Sequence, residues 1–79
     1  MVETRAATRY RVTKPARIEH GIEKITCTVR DLSATGAALE LDHMVTMPEH
    51  FMLVLLEDGL KLPCRVVRRT GFRIGVAFD

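Results

Sequence analysis

Apolar and polar residues alternate in short runs along this chain, the period of strands with one buried face. Ile25, Cys27 and Val29 alternate with Thr26, Thr28 and Arg30. Ala37, Leu39 and Leu41 alternate with Ala38 and Glu40, and Ile74, Val76 and Phe78 with Arg73, Gly75 and Ala77. Leu60, Leu62, Cys64 and Val66 place a fourth apolar phase against Lys61, Pro63, Arg65 and Val67. A shorter run, Ala16 and Ile18 against Arg17 and Glu19, starts just after Pro15. Residues 51–56 are apolar without a break, which reads as a strand covered on both faces. The turn Glu57-Asp58-Gly59 behind them favours a hairpin into the next strand.

Further turn residues stand between the other runs, at 20–21, 31–36, 42–43, 48–49 and 70–71. Short strands so separated predict an all-β fold, a six-stranded antiparallel β-barrel. Closure suits a chain of 79 residues, because it wraps one core with little material and removes the sheet edges. Pro63 inside a strand requires an edge, an outward-facing nitrogen or a bulge. Residues 1–14 do not alternate. They read as a flexible basic N-terminal arm before a barrel domain over 15–79.

Composition narrows the function. The chain carries 47% hydrophobic residues and a net charge of +2, which marks a folded domain with no general affinity for polyanions. The distribution is more informative. Arg5, Arg9, Arg11, Lys14 and Arg17 crowd the first 17 residues, against Glu3 alone. An arm like this attracts a small anion. Cys27 and Cys64 fall on apolar phases and read as core. No signal-peptide pattern and no membrane-length apolar run is present, so a cytoplasmic protein with reduced thiols is expected. No ligand spacing among cysteines and histidines suggests a metal site, and no cofactor is expected. No nucleophile, base and acid stand at useful spacing, so the chain is not read as an enzyme. Four aromatic residues are few for stacking single-stranded nucleic acid.

Two polar clusters remain. Arg5 and Arg9 stand four apart in the arm, and Asp31-Leu32-Ser33-Ala34-Thr35-Gly36 forms a polar turn between two strands. Either alone is an ordinary feature of a basic segment or a tight turn. Their order and spacing say more. RxxxR, then two strands, then (D/N)xSxxG entering a third, resembles the signature of the PilZ domain. Arg9 and Asp31 are 22 positions apart, which leaves room for those strands. The run from Arg73 to Phe78 also resembles the last strand of that family.

The resemblance implies a receptor for the bacterial second messenger cyclic diguanylate (c-di-GMP), acting through protein contacts in motility, biofilm formation or cell-cycle control. It implies that Arg5, Arg9, Asp31, Ser33 and Gly36 bind the ligand. The chemistry agrees. A guanidinium fork suits phosphate or the O6 and N7 of guanine, and a carboxylate suits the N–H edge of guanine. Ser33 offers a hydroxyl, and Gly36 allows close approach of the backbone. An arm gripping the ligand would change the surface offered to a partner. Thr4 stands where many members carry a further arginine, which implies one c-di-GMP per site. The helix that comes after many family barrels is missing, so the outer face of residues 51–56 is expected to be apolar and exposed. Such a patch would be covered by a partner protein or a second copy in a homodimer. Two alternatives stand beside the receptor: a barrel that binds no nucleotide and serves only as an interaction module, and, less favoured by the aromatic count, a single-stranded nucleic-acid binder. Arg65, Arg68, Arg69 and Arg73 form a second basic patch, read first as a solvated face and second as support for the ligand.

Overall fold

The alternating runs become six antiparallel strands in a computed structural model that describes residues 8–79. They are β1 (Tyr10–His20), β2 (Glu23–Leu32), β3 (Gly36–Leu41), β4 (His50–Leu55), β5 (Leu60–Thr70) and β6 (Arg73–Phe78). Neighbours run β1-β2-β3-β6-β5-β4, and β4 returns to β1, so the barrel is closed. Hairpins make four of the five connections. The fifth, residues 42–49, crosses one end from β3 to β4, and its Val45 and Met47 pack onto the core there. Gly21, Gly59 and Gly71 take positive φ in the tight hairpin turns.

Each strand contributes its predicted apolar phase to one core, except that Leu60, at the start of β5, stays exposed. Ile18, Val29, Leu39, Leu53 and Ile74 are fully or almost fully shielded, and Cys27 and Cys64 lie among them. No polar or charged residue is buried among the described residues. The core is thus held by area alone, with each large aliphatic side chain contributing roughly 1.5–3 kcal/mol.

Two differences from the sequence reading have simple causes. The first strand begins at Tyr10, inside the stretch assigned to the arm, and runs through Pro15. The carbonyl of Pro15 accepts from the Leu56 amide on the β4 side, so its nitrogen also faces that side. There the β1–β4 pairing starts only at Ala16, and proline withdraws no ladder bond. Pro63 obeys the same rule. Its carbonyl accepts from the Asp79 amide, beyond the last β5–β6 pair at Cys64.

The second difference concerns residues 51–56. Phe51, Leu53 and Leu55 face the core. Val54 points outward yet is only 6% exposed. Its cross-strand neighbours on that face are Arg17 and Lys61, whose aliphatic stems flank it. The outer face of β4 is therefore closed at Val54, and the exposed apolar residue of the run is Leu56, just past the strand.

Leu53→Ala should lower unfolding stability by about 2–5 kcal/mol, since a closed barrel cannot collapse onto the cavity. Chemical denaturation measures this. Burial pushes the Cys27 thiol up to about 12, with Asp42 and then Cys64 adding to the effect. Burial also pushes Cys64 up to about 11, against a hydrogen bond from the Leu53 backbone that lowers it. Both values are raised above the ordinary 9.0. The thiol contribution to stability is therefore complete below pH 9 and is lost as pH rises towards 11 and 12. Denaturation at stepped alkaline pH should show this fall, and Cys27→Val should flatten it.

Candidate functional site

The turn between β2 and β3 is built by its own side chains. Ser33 Oγ accepts from the amides of Thr35 and Gly36, each at 3.2 Å, and the Ser33 amide donates to the Gly36 carbonyl at 2.9 Å. The same hydroxyl lies 3.2 Å from that carbonyl. Ser33 is thus engaged in holding the turn, and a bound ligand would have to share it. Gly36 has a structural duty too. A Cβ there would sit 2.2 Å from the Val76 carbonyl oxygen of β6, so only glycine lets the two strands pair. The close approach that this glycine permits is that of a neighbouring strand.

Asp31 reaches the surface through a break in strand phase. Cys27 and Val29 face the core, and strict alternation would send residue 31 inward with them. Val29 pairs with Leu39 while Asp31 pairs with Ala38, so Arg30 is an extra residue in β2. This bulge turns Asp31 outward. Arg9 stands immediately before β1, whose first residue, Tyr10, pairs with Leu32. The register thereby brings Arg9 and Asp31 together, with Nη2 and Oδ2 3.6 Å apart. Arg5 lies outside the described residues.

Arg9, Asp31, Ser33 and Gly36 all line one open groove of about 330 Å³ on the outer face of the barrel. That volume lies at the lower end of the roughly 300–1,000 Å³ of small-molecule sites. The chain matches the family model of the PilZ domain over residues 3–79. It belongs to the PilZ domain family. PilZ domains are c-di-GMP-binding domains, generally receptors rather than enzymes. No curated protein matches the chain closely enough to count as a relative. No helix among the described residues is long and apolar enough to cross a membrane.

The PilZ groove has a second side that neither motif supplies. Beyond Gly36 its floor continues over Ala38, Gly75 and Ala77 to Val67 and Arg68 on β5. Sequence reading placed Arg68 in a solvated patch first and beside a ligand second. A signal was present: on the phase set by Cys64 and Val66, residue 68 faces inward, which a lone arginine does not tolerate. A second groove, of about 420 Å³, adjoins the first at Asp31 and gathers Arg11, Arg30 and Arg73. Glu40 lies 3.6 Å from Arg30 and 3.7 Å from Arg73, which leaves this surface positive.

Gly36→Ala should destabilise the domain by several kcal/mol, or prevent folding, because the new methyl meets backbone rather than a side chain that can move. Thermal unfolding of the purified variant, monitored by circular dichroism, checks this without any ligand.

Proposed function

We propose that this PilZ domain is a cytoplasmic c-di-GMP receptor that works without catalysis, relaying its signal through protein contacts in motility, biofilm or cell-cycle regulation. The observation that carries this reading is the pairing of Arg9 with Asp31 at the rim of a ligand-sized groove. The two residues have complementary tasks. Arg9 presents a planar fork to a phosphate or to guanine O6 and N7, and Asp31 accepts from the N–H edge of a guanine. Arg5 is the second guanidinium that the family motif assigns to the ligand. Ser33 and Gly36 contribute the turn on which Asp31 is displayed.

The Arg9–Asp31 contact is suited to exchange. Arg9 is 59% exposed, and its contact with Asp31 is one of the surface pairs worth roughly 0–1 kcal/mol. Transferring Arg9 from Asp31 to a phosphate therefore costs little. The carboxylate it leaves is free for a base. Ligand would then tie the segment before β1 to the face of β2 and β3, and the altered surface is what a downstream partner would read. Arg11, Arg30 and Arg73 add positive potential beside the groove, which speeds capture of a dianion.

Calorimetric titration with c-di-GMP, with cyclic diadenylate as control, tests the reading. Saturable binding of c-di-GMP alone is expected. Arg9→Ala and Asp31→Ala should each weaken it about thirtyfold to hundredfold, corresponding to roughly 2–3 kcal/mol for a charge-assisted contact, with unfolding curves unchanged. A folded wild-type protein that binds neither nucleotide would leave a nucleotide-independent interaction module as the better description.

A further inference from the structure

Asp31 is one end of a straight row. It pairs with Ala38 on β3, Ala38 pairs with Gly75 on β6, and Gly75 pairs with Arg68 on β5. Residues directly opposite one another share a face of the sheet, so all four point outward. The row spans three strand spacings, roughly 14 Å. It is acidic at one end, basic at the other, and has a methyl and a hydrogen as its only side chains between.

Arg68 is in this row because of a second bulge. Val66 pairs with Val76 and Arg68 with Gly75, which leaves Val67 as an extra residue in β5. Val66 packs against the core, and Val67 and Arg68 both turn outward into the groove. Without the bulge Arg68 would face the core. The other arginines of this hairpin are engaged elsewhere. Arg65 holds Asp79 at 3.3 Å, Arg69 donates to the Val45 carbonyl at 2.7 Å, and Arg73 faces Glu40.

From this geometry we infer that Arg68 is a ligand-binding residue outside both motifs, and that the row from Asp31 to Arg68 is a cradle for one guanine of c-di-GMP. The inference rests on the receptor reading above. A purine can lie flat on a floor of very small side chains, and Ala38 and Gly75 provide one. Guanine carries donors, N1–H and the 2-amino group, on the edge that faces Asp31, and acceptors, O6 and N7, towards a guanidinium at Arg68. Adenine presents an acceptor at N1 and a donor at its 6-amino group, so the same row opposes it at both ends. Val67 closes the far wall with an apolar side chain that is 59% exposed.

Gly75 allows a test that spares the fold. It does not take positive φ, and a Cβ there would meet Arg68 Cβ and Val67 Cγ2 at an ordinary 3.8 Å. Gly75→Val should therefore fold while raising the floor. Titration with c-di-GMP would compare wild type, Arg68→Ala, Arg69→Ala and Gly75→Val, each checked by circular dichroism. Arg69→Ala removes the same charge one residue away and should bind like wild type. Arg68→Ala and Gly75→Val should each lose tenfold or more. If wild type binds and Arg68→Ala binds equally well, or if Arg69→Ala loses as much as Arg68→Ala, the cradle is wrong and the receptor reading stands. If folded wild type does not bind, both fall together.

Discussion

Closure of the barrel is the constraint on which the rest depends. Every strand has a neighbour on each side, so its register is fixed twice and each residue is committed to the core or to the surface. A strand in such a barrel can change which residues it shows only by taking in an extra residue. It does so at Arg30 in β2 and at Val67 in β5. Each bulge reverses the phase of the residues after it, and each delivers a charged side chain to the same outward row. The groove is therefore a consequence of how two strands fail to alternate.

The division of labour within the second motif comes from the same constraint. Of its three residues, Ser33 and Gly36 are occupied with structure. Ser33 satisfies the amides of the turn, and Gly36 lets β3 lie against β6. Asp31 has no such duty in the turn, and it is partly exposed and balanced by Arg9. The chemistry rests on side chains that point away from the barrel, and the fold rests on an entirely apolar interior. Substitutions at Arg9, Asp31 or Arg68 therefore leave the core untouched, whereas one at Gly36 strikes the pairing of β3 with β6.

Much of the fold was legible in the chain. The alternation around Cys27, Leu39, Ile74 and their neighbours marked the core phases, and glycine-containing turns marked the hairpins. Two readings went astray for one reason each. Ending the arm at Lys14 rested on the weak alternation of a polar, basic stretch, yet β1 begins at Tyr10 and runs through Pro15, which stands where a neighbouring ladder has not begun. Expecting an exposed face on residues 51–56 held for Leu56 but misjudged Val54, which lies between Arg17 and Lys61 on the neighbouring strands. Lys14, a charge on the inward phase of β1, likewise adjoins a register shift, that of β1 against β2 between Arg11 and Lys14, and its ammonium reaches Asp58 at 3.3 Å.

The sequence by itself determined the number of strands, the residues of the core and the two motifs, because those depend on local spacing and on apolar content. It placed Asp31 in a polar turn and Arg68 in a basic patch. Only the tertiary structure decided that Arg9 meets Asp31 and that Arg68, 37 positions beyond Asp31, closes the same row. Those neighbours are set by the pairing of β2 with β3, β3 with β6 and β6 with β5. Such a register is the joint result of every strand around a closed barrel, and no single segment encodes it.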